Sequence, residues 1–200
     1  VKVLLINNNT HYKKRLSNLL EKHDLTTINY DEVSGYDVRT FDVIVLSGGG
    51  IEVEGRKRSL KRFSHLYEDQ IQMVKKAKKP IVGICLGCQI IGYAYGAELH
   101  RSFKERRKGL FPIVAIQKNK VMAGKEEAMV FQSNRWIITE LPDGLRCIAA
   151  SSEGVEIIKH RTKQVWGVQF HPERGGKDGD GRKIFNRILK RIYEEEITSS

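Results

Sequence analysis

No apolar run in this 200-residue chain approaches the roughly 20 residues that a membrane span needs, because a Lys, Gly or Ser interrupts each of the longest. The opening stretch, Val1 to Asn7, is too short and too soon polar to read as a signal peptide, so a cytoplasmic protein is expected and no membrane partner. Cysteine is scarce, three in all, which is ordinary for a cytosolic chain and gives no disulfide framework. Acidic residues are also in deficit: 24 against 35 basic ones, a formal charge of +11. Such a field attracts anions, whether nucleic acid, nucleotides or an acidic protein. Yet there is no zinc-finger spacing and no aromatic-rich strand pair of the RNA-binding kind. Nucleic acid is therefore not the expected partner. The basic residues gather in Arg56-Lys57-Arg58 with Lys61-Arg62, in Lys75 to Lys79, in Arg101 to Lys108 and near the C-terminus, and read as separate solvated faces.

What the chain does contain is the material of a core. At 40% hydrophobic and 30% charged residues, disorder and collagen-like structure are excluded. A chain of this length forms one domain, here residues 1–200, and buries roughly 70% of its unfolded surface without metal or disulfide staples. Val3-Leu4-Leu5-Ile6 reads as a buried strand delivering three Asn residues, and Phe41 to Leu46 as a second, delivering Ser47-Gly48-Gly49-Gly50. Helices are expected over 11–22, up to Lys79 through Leu66, Ile71, Val74 and Ala77, and over 88–96. Pro80 precedes a third strand, Ile81 to Ile84. From 110 to 170 short β-rich runs follow (Ile113 to Ile116, Arg146 to Ala149, Val155 to Ile158, Val165 to Phe170), and an amphipathic helix spans 182–193. Alternating strands and helices give an α/β, doubly wound, mostly parallel sheet with flanking helices and a β-rich insert. In such sheets ligands bind beyond the carboxyl ends of the strands, where the polar and glycine-rich segments fall.

Gly83-Ile84-Cys85-Leu86-Gly87 places small residues two before and two after a nucleophile at a strand-to-helix turn, the nucleophile-elbow pattern. The N–H groups of the following helix favour a thiolate there. A structural cysteine packed between two glycines would leave the same trace. Downstream, Gly167-Val168-Gln169-Phe170-His171-Pro172-Glu173 ends a strand in His, with Glu two residues on. That Glu can accept one imidazole N–H and leave the other nitrogen to act as a base. Gly48 to Gly50 let backbone N–H groups approach a ligand oxygen, as an oxyanion hole needs, and Ile51-Glu52 in place of Lys-Ser/Thr exclude a Walker loop. Cys85 and Cys88 also form a C-x-x-C, but a redox role leaves the glycine loop and the His-Pro-Glu unexplained, and zinc lacks two further ligands.

Taken together, GICLGCQ, GVQFHPE and the SGGG loop resemble the class I (triad) glutamine amidotransferases, in the family's order and over essentially the whole chain. The resemblance implies a flavodoxin-like fold and no metal or cofactor. It implies that Cys85 attacks the side-chain amide of L-glutamine to give a γ-glutamyl thioester and ammonia. His171 would move the proton and Glu173 orient it. The N–H groups of Gly49 and Leu86 would form the oxyanion hole, Gln89 would hold the glutamine, and Ser133 and Asn134 would line its pocket. Ala94 to Glu98, the Leu141 to Gly144 turn, and Ile158 to Lys163 are similar to the glutamine-hydrolysing subunit of GMP synthetase, where the pair matching Lys159 and His160 lies near the face that meets the synthetase. The expected partner is a separate ATP-dependent synthetase, GMP synthetase first, since 200 residues leave no room for one. The same triad would also serve a stand-alone γ-glutamyl hydrolase, and an idle regulatory module could keep the fold. The chain departs from the GMP-synthetase pattern in Gly50 for Pro, in the long basic segment from Glu52 to His65, and in Ser133-Asn134-Arg135-Trp136 where Ser-His-acidic is usual.

Overall fold

The structure, a computed structural model, describes residues 1–53, 56–57, 59–102 and 107–198. Glu54, Gly55 and Arg58 of the basic segment, and residues 103–106 of the Arg101 to Lys108 stretch, lie outside them. In chain order the elements are β1 (Lys2–Asn8), α1 (Lys13–Leu19), β2 (Asp24–Asn29), β3 (Val43–Gly49), β4 (Glu52–Val53), β5 (Arg56–Lys57), α2 (Leu60–Phe63), α3 (Glu68–Lys75), β6 (Ile81–Ile84) and α4 (Leu86–Ala94). There follow β7 (Leu99–Arg101), β8 (Arg107–Ala115), β9 (Glu127–Asn134), β10 (Trp136–Ile138), β11 (Leu145–Ala150), β12 (Val155–His160), β13 (Val165–Val168) and α5 (Gly181–Thr198).

Nine strands form one sheet in the order β2-β1-β3-β6-β13-β12-β11-β8-β9. From β2 to β13 every neighbouring pair is parallel; from β13 outward every pair is antiparallel. The β-rich insert thus extends the main sheet.

The continuous apolar runs of β1, β3 and β6 follow from helices on both faces. A strand alternates its side chains, so a strand covered twice must be apolar at every position. Val3, Leu5, Val43, Val45, Val82 and Ile84 pack with Leu16 of α1 and with Ile184, Phe185 and Ile188 of α5. Leu4, Ile6, Ile44, Leu46 and Ile81 pack on the other face with Ile71 and Val74 of α3 and Ile90 and Ile91 of α4. This is the doubly wound arrangement expected from the sequence.

The expected helix boundaries move: the helix expected over 11–22 spans Lys13–Leu19, and the last, expected over 182–193, spans Gly181–Thr198. The helix preceding Pro80 ends at Lys75 rather than Lys79. Leu66, expected on its buried stripe, is 38% exposed, because 64–67 form a 3₁₀ turn whose tighter period buries Tyr67 instead. α4 spans Leu86–Ala94 rather than 88–96, with Tyr95 as its C-cap, and Gly96 at φ 98° turns the chain in the left-handed conformation that favours glycine.

Candidate active site

The four central parallel strands end at one edge of the sheet, and each delivers part of the site there. β6 is buried throughout and runs directly into Cys85, whose φ of 49° and ψ of −102° precede the first turn of α4. A non-glycine residue in such a conformation costs on the order of 1–3 kcal/mol and persists only where its surroundings hold it. The glycines on either side are what make the turn possible. A Cβ on Gly83 would stand 2.4 Å from the Gly87 carbonyl, and one on Gly87 would stand 2.3 Å from the Leu46 oxygen. The elbow needs both positions bare, which accounts for the spacing read in the sequence. Cys85 is the N-cap of α4 and so stands at the positive end of that helix.

His171 follows β13 and reaches the same point. Its Nδ1 and Glu173 Oε1 are 2.7 Å apart, and both side chains are buried. That contact fixes the imidazole and leaves Nε2 for the sulfur side. Gly48 makes room for it: a Cβ there would meet His171 Cε1 at 3.0 Å and Cys85 Cβ at 3.3 Å. Burial alone would lower the His171 pKa. The negative charge at Cys85 and its hydrogen bond, then the Glu173 carboxylate, outweigh burial and raise it to about 10. The ring is also propped from behind. Tyr12 packs edge-on against it, with centroids 5.4 Å apart, and the Arg174 guanidinium lies over the rings of Tyr12 and Phe131.

In front of Cys85 lies a cavity of about 240 Å³. Of the residues expected at the site, Cys85, His171, Gly49, Leu86, Gln89, Ser133 and Asn134 all line it. Glu173 stands behind His171 and lines a neighbouring cleft with His11, Lys14, Arg15 and Arg182. Gln89 Nε2 donates to Trp136 O at 2.9 Å and to Gln169 Oε1 at 3.2 Å. Both amide hydrogens are thus committed to the protein, and Gln89 offers a ligand its Oε1. Asn134 Nδ2 donates to Trp136 O at 3.3 Å, while its buried Oδ1 has no partner among the described residues.

Arg135 and Trp136, of the segment that the resemblance puts at the glutamine pocket, line the cavity too. Sequence reasoning missed Thr10, His11 and Tyr12, which close it from the β1 side, and Ile51 and Leu60. The three asparagines ending β1 marked the loop of Thr10 to Tyr12 without identifying its members. Gln169 lay inside the GVQFHPE motif without a role; its Nε2 donates to Cys85 Sγ at 3.7 Å.

Residues 4–191 match the family described as Glutamine amidotransferase class-I. The chain is 30% identical over 179 residues to a glutamine-hydrolyzing GMP synthase subunit of Methanothermobacter thermautotrophicus, covering 86% of this chain and 88% of that one. The chain belongs to the class I glutamine amidotransferase family. It is also 34% identical over 120 residues to anthranilate synthase component 2 of Saccharolobus solfataricus, covering 58% of this chain and 61% of that one. Its fold is that of a Thermoplasma acidophilum protein described provisionally as a GMP synthase subunit, with a TM-score of 0.83 at 23% identity over 100% of this chain and 98% of that one.

Within this amidotransferase the thiols of Cys88 and Cys147 are held protonated by their surroundings. Burial, then the charges at Cys85, Glu156 and Cys147, push the Cys88 thiol well above its ordinary range. Burial and Glu156 raise Cys147 to about 11 against a weaker opposing backbone bond. Cys88 packs beneath the elbow, where a Cβ on Gly167 would strike its Sγ at 2.7 Å. Among the described residues no group of three or more His, Cys, Asp or Glu is arranged to hold a metal ion, and no helix is long and apolar enough to cross a membrane.

In the amidotransferase structure Lys159 and His160 stand away from the triad. β12 runs antiparallel to β13, so its last residues stand beside the start of β13, at the sheet edge opposite Cys85. Both are buried, at 6% and 9% exposure. Lys159 Nζ donates to His160 O at 3.2 Å and Lys163 O at 3.3 Å, and His160 Nδ1 accepts from the N–H groups of Thr162 and Lys163. Burial, then Lys163 and Lys159, lower the His160 pKa. Their contacts serve the hairpin turn.

Proposed function

We propose that this chain is one glutaminase domain hydrolysing L-glutamine to glutamate and ammonia through Cys85, His171 and Glu173, and that it delivers the ammonia to a separate ATP-dependent synthetase. The observation that carries the reading is the strained elbow cysteine facing a cavity beside a buried imidazole held at 2.7 Å by a carboxylate. Cys85 loses its proton to His171 Nε2 and its thiolate attacks the glutamine Cδ. The oxygen of the tetrahedral intermediate carries the negative charge, and the N–H groups of Gly49 and Leu86 are the donors for it. As the C–N bond breaks, His171 gives its proton to the departing nitrogen, which leaves as ammonia. Water, deprotonated by His171, then attacks the thioester; the C–S bond breaks, glutamate leaves and the thiolate is restored. Glu173 holds the imidazole and stabilises its charged form without taking the proton. Gln89 and Asn134, polar side chains among the residues lining the cavity, suit the polar end of an amino-acid substrate, with Ser133 beside them.

GMP synthetase is the first partner to test, because similarity to its glutamine-hydrolysing subunits extends over 86% of this chain, against 58% for the anthranilate synthase component. A thiol nucleophile that must stay reduced fits a cytoplasmic setting. The experiment measures ammonia release by the isolated chain, then with the ATP-dependent half of a GMP synthetase and its nucleotide, then with an anthranilate-type partner. Stimulation by the first alone is expected. Stimulation only by the second reassigns the partner, and a Cys85→Ser variant retaining near wild-type release overturns the triad.

A further inference from the structure

Gln169 follows β13 two residues before His171 and is 1% exposed. Both ends of its amide are engaged at the site. Nε2 donates to Cys85 Sγ at 3.7 Å, and Oε1 accepts from Gln89 Nε2 at 3.2 Å. Gln89 is itself fixed by Trp136 O at 2.9 Å. The order of the chain sets the orientation of the amide. Turned over, Gln169 would set one NH₂ group against another at Gln89 and aim a carbonyl oxygen at the sulfur. Only the arrangement with Nε2 toward Cys85 gives both Gln89 donors an acceptor and keeps the two NH₂ groups apart.

The sulfur is therefore met from two directions, by the imidazole of His171 and by the amide of Gln169. His171 cannot serve as donor throughout, because it must hand its proton to the departing nitrogen. An amide N–H never gives up its hydrogen, so a donor of that type remains in place through both halves of the reaction. The thiolate carries full charge twice: before it attacks, and again when the C–S bond of the thioester breaks. In the thioester between them the sulfur is neutral and the bond is weakest. A fixed donor at this point thus favours the two charged states over the covalent intermediate.

We propose that Gln169 is a further catalytic residue of this amidotransferase, donating to the Cys85 sulfur while its carbonyl ties the nucleophile to Gln89 in the wall of the glutamine cavity. The proposal rests on Cys85 being the nucleophile.

Two substitutions separate the two ends of the amide. Gln169→Glu keeps the size of the side chain and an acceptor for Gln89 but sets a carboxylate against the sulfur. Gln169→Leu removes both hydrogen bonds. The measurement is the pH dependence of Cys85 alkylation by iodoacetamide, followed by peptide mass spectrometry, alongside kcat and KM for glutamine and a thermal melt of each variant. In Gln169→Leu the alkylation profile should move to higher pH by about one pH unit and kcat should fall roughly tenfold, as loss of a hydrogen bond to a charged group implies. KM should rise as well, because Gln89 loses its anchor. In Gln169→Glu the profile should move further and kcat fall further, with KM closer to wild type.

An unmoved alkylation profile in either folded variant overturns the proposal, whatever happens to turnover. Should both variants fail to fold, Gln89→Leu provides the same reading from the other side. By releasing the Gln169 amide it should move the profile in the same direction by less, and an unmoved profile there overturns the proposal equally. A Cys85→Ala variant that still releases ammonia removes the nucleophile assignment itself. A dead Cys85→Ala with unmoved profiles at Gln169 removes only this inference.

Discussion

His171 is the residue on which the electrostatics of the site converge. Its pKa of about 10 results from opposing causes: burial lowers it, and the charges at Cys85 and Glu173 together overcome burial. Cys85→Ala removes the largest raising contribution, so the imidazole of that variant should titrate well below the wild-type value. NMR of ring-labelled histidine checks this, and an unchanged titration would dissociate the two side chains. The same coupling reaches stability. Because the folded value lies above the ordinary 6.5, folding favours the protonated ring. The contribution is complete below pH 6.5, declines as pH rises and is gone above about 10. The wild-type melting temperature should therefore fall over that interval more steeply than that of Cys85→Ala.

At the scale of elements, the site depends on how tightly β6, the elbow and α4 pass under β3. Gly87 opens α4 directly against the Leu46 backbone, where an added Cβ would approach oxygen to 2.3 Å. Backbone cannot retreat as a side-chain tip can. Gly87→Ala should therefore displace α4 from β3, lowering stability by a few kcal/mol and abolishing turnover, because Cys85 and the α4 N–H groups move together. Denaturant unfolding and a glutaminase assay test the two halves of that statement. Gly96→Ala gives the contrasting case. Among the described residues nothing lies within 4 Å of the added Cβ, but φ is 98°, so only the conformational cost of about 1 kcal/mol applies and turnover should persist.

On the scale of the whole molecule, three of the basic residues behind the formal charge of +11, Lys14, Arg15 and Arg182, stand beside the site. His11, Lys14, Arg15 and Arg182, from the β1–α1 loop, α1 and α5, line the cleft that also reaches Glu173. A partner approaching the catalytic edge of the sheet meets this basic rim. If an acidic synthetase is steered by it, partner-stimulated ammonia release should weaken as salt rises from about 0.05 to 0.5 M, where the screening length falls to a few ångström. Basal release should stay level, since the triad is buried. Equal loss of both activities would point to salt acting on the triad instead.

The doubly covered strands and the elbow are legible without any structure. Val3 to Ile6, Val43 to Leu46 and Ile81 to Ile84 are apolar at consecutive positions, which only burial on both faces explains. Gly83, Cys85 and Gly87 stand out because backbone crowding at a tight turn acts over a few residues. β2 and β9 were not legible. β2 is an edge strand that buries only Ile28, and β9 alternates correctly but carries Gln132 and Asn134 in its buried phase. Those polar positions are tolerated inside because Gln132 donates to Glu156 and Asn134 to Trp136 O, partners distant in sequence or set by a neighbouring turn. For the same reason it took the folded chain to show that Tyr12 props His171, that Gln169 reaches the sulfur, and that Lys159 and His160 stand at the opposite edge. Hydrophobic period and turn chemistry are local and are written in neighbouring residues. Strand direction and contact between segments 84 residues apart, as between Cys85 and Gln169, are settled only when the sheet closes around its core.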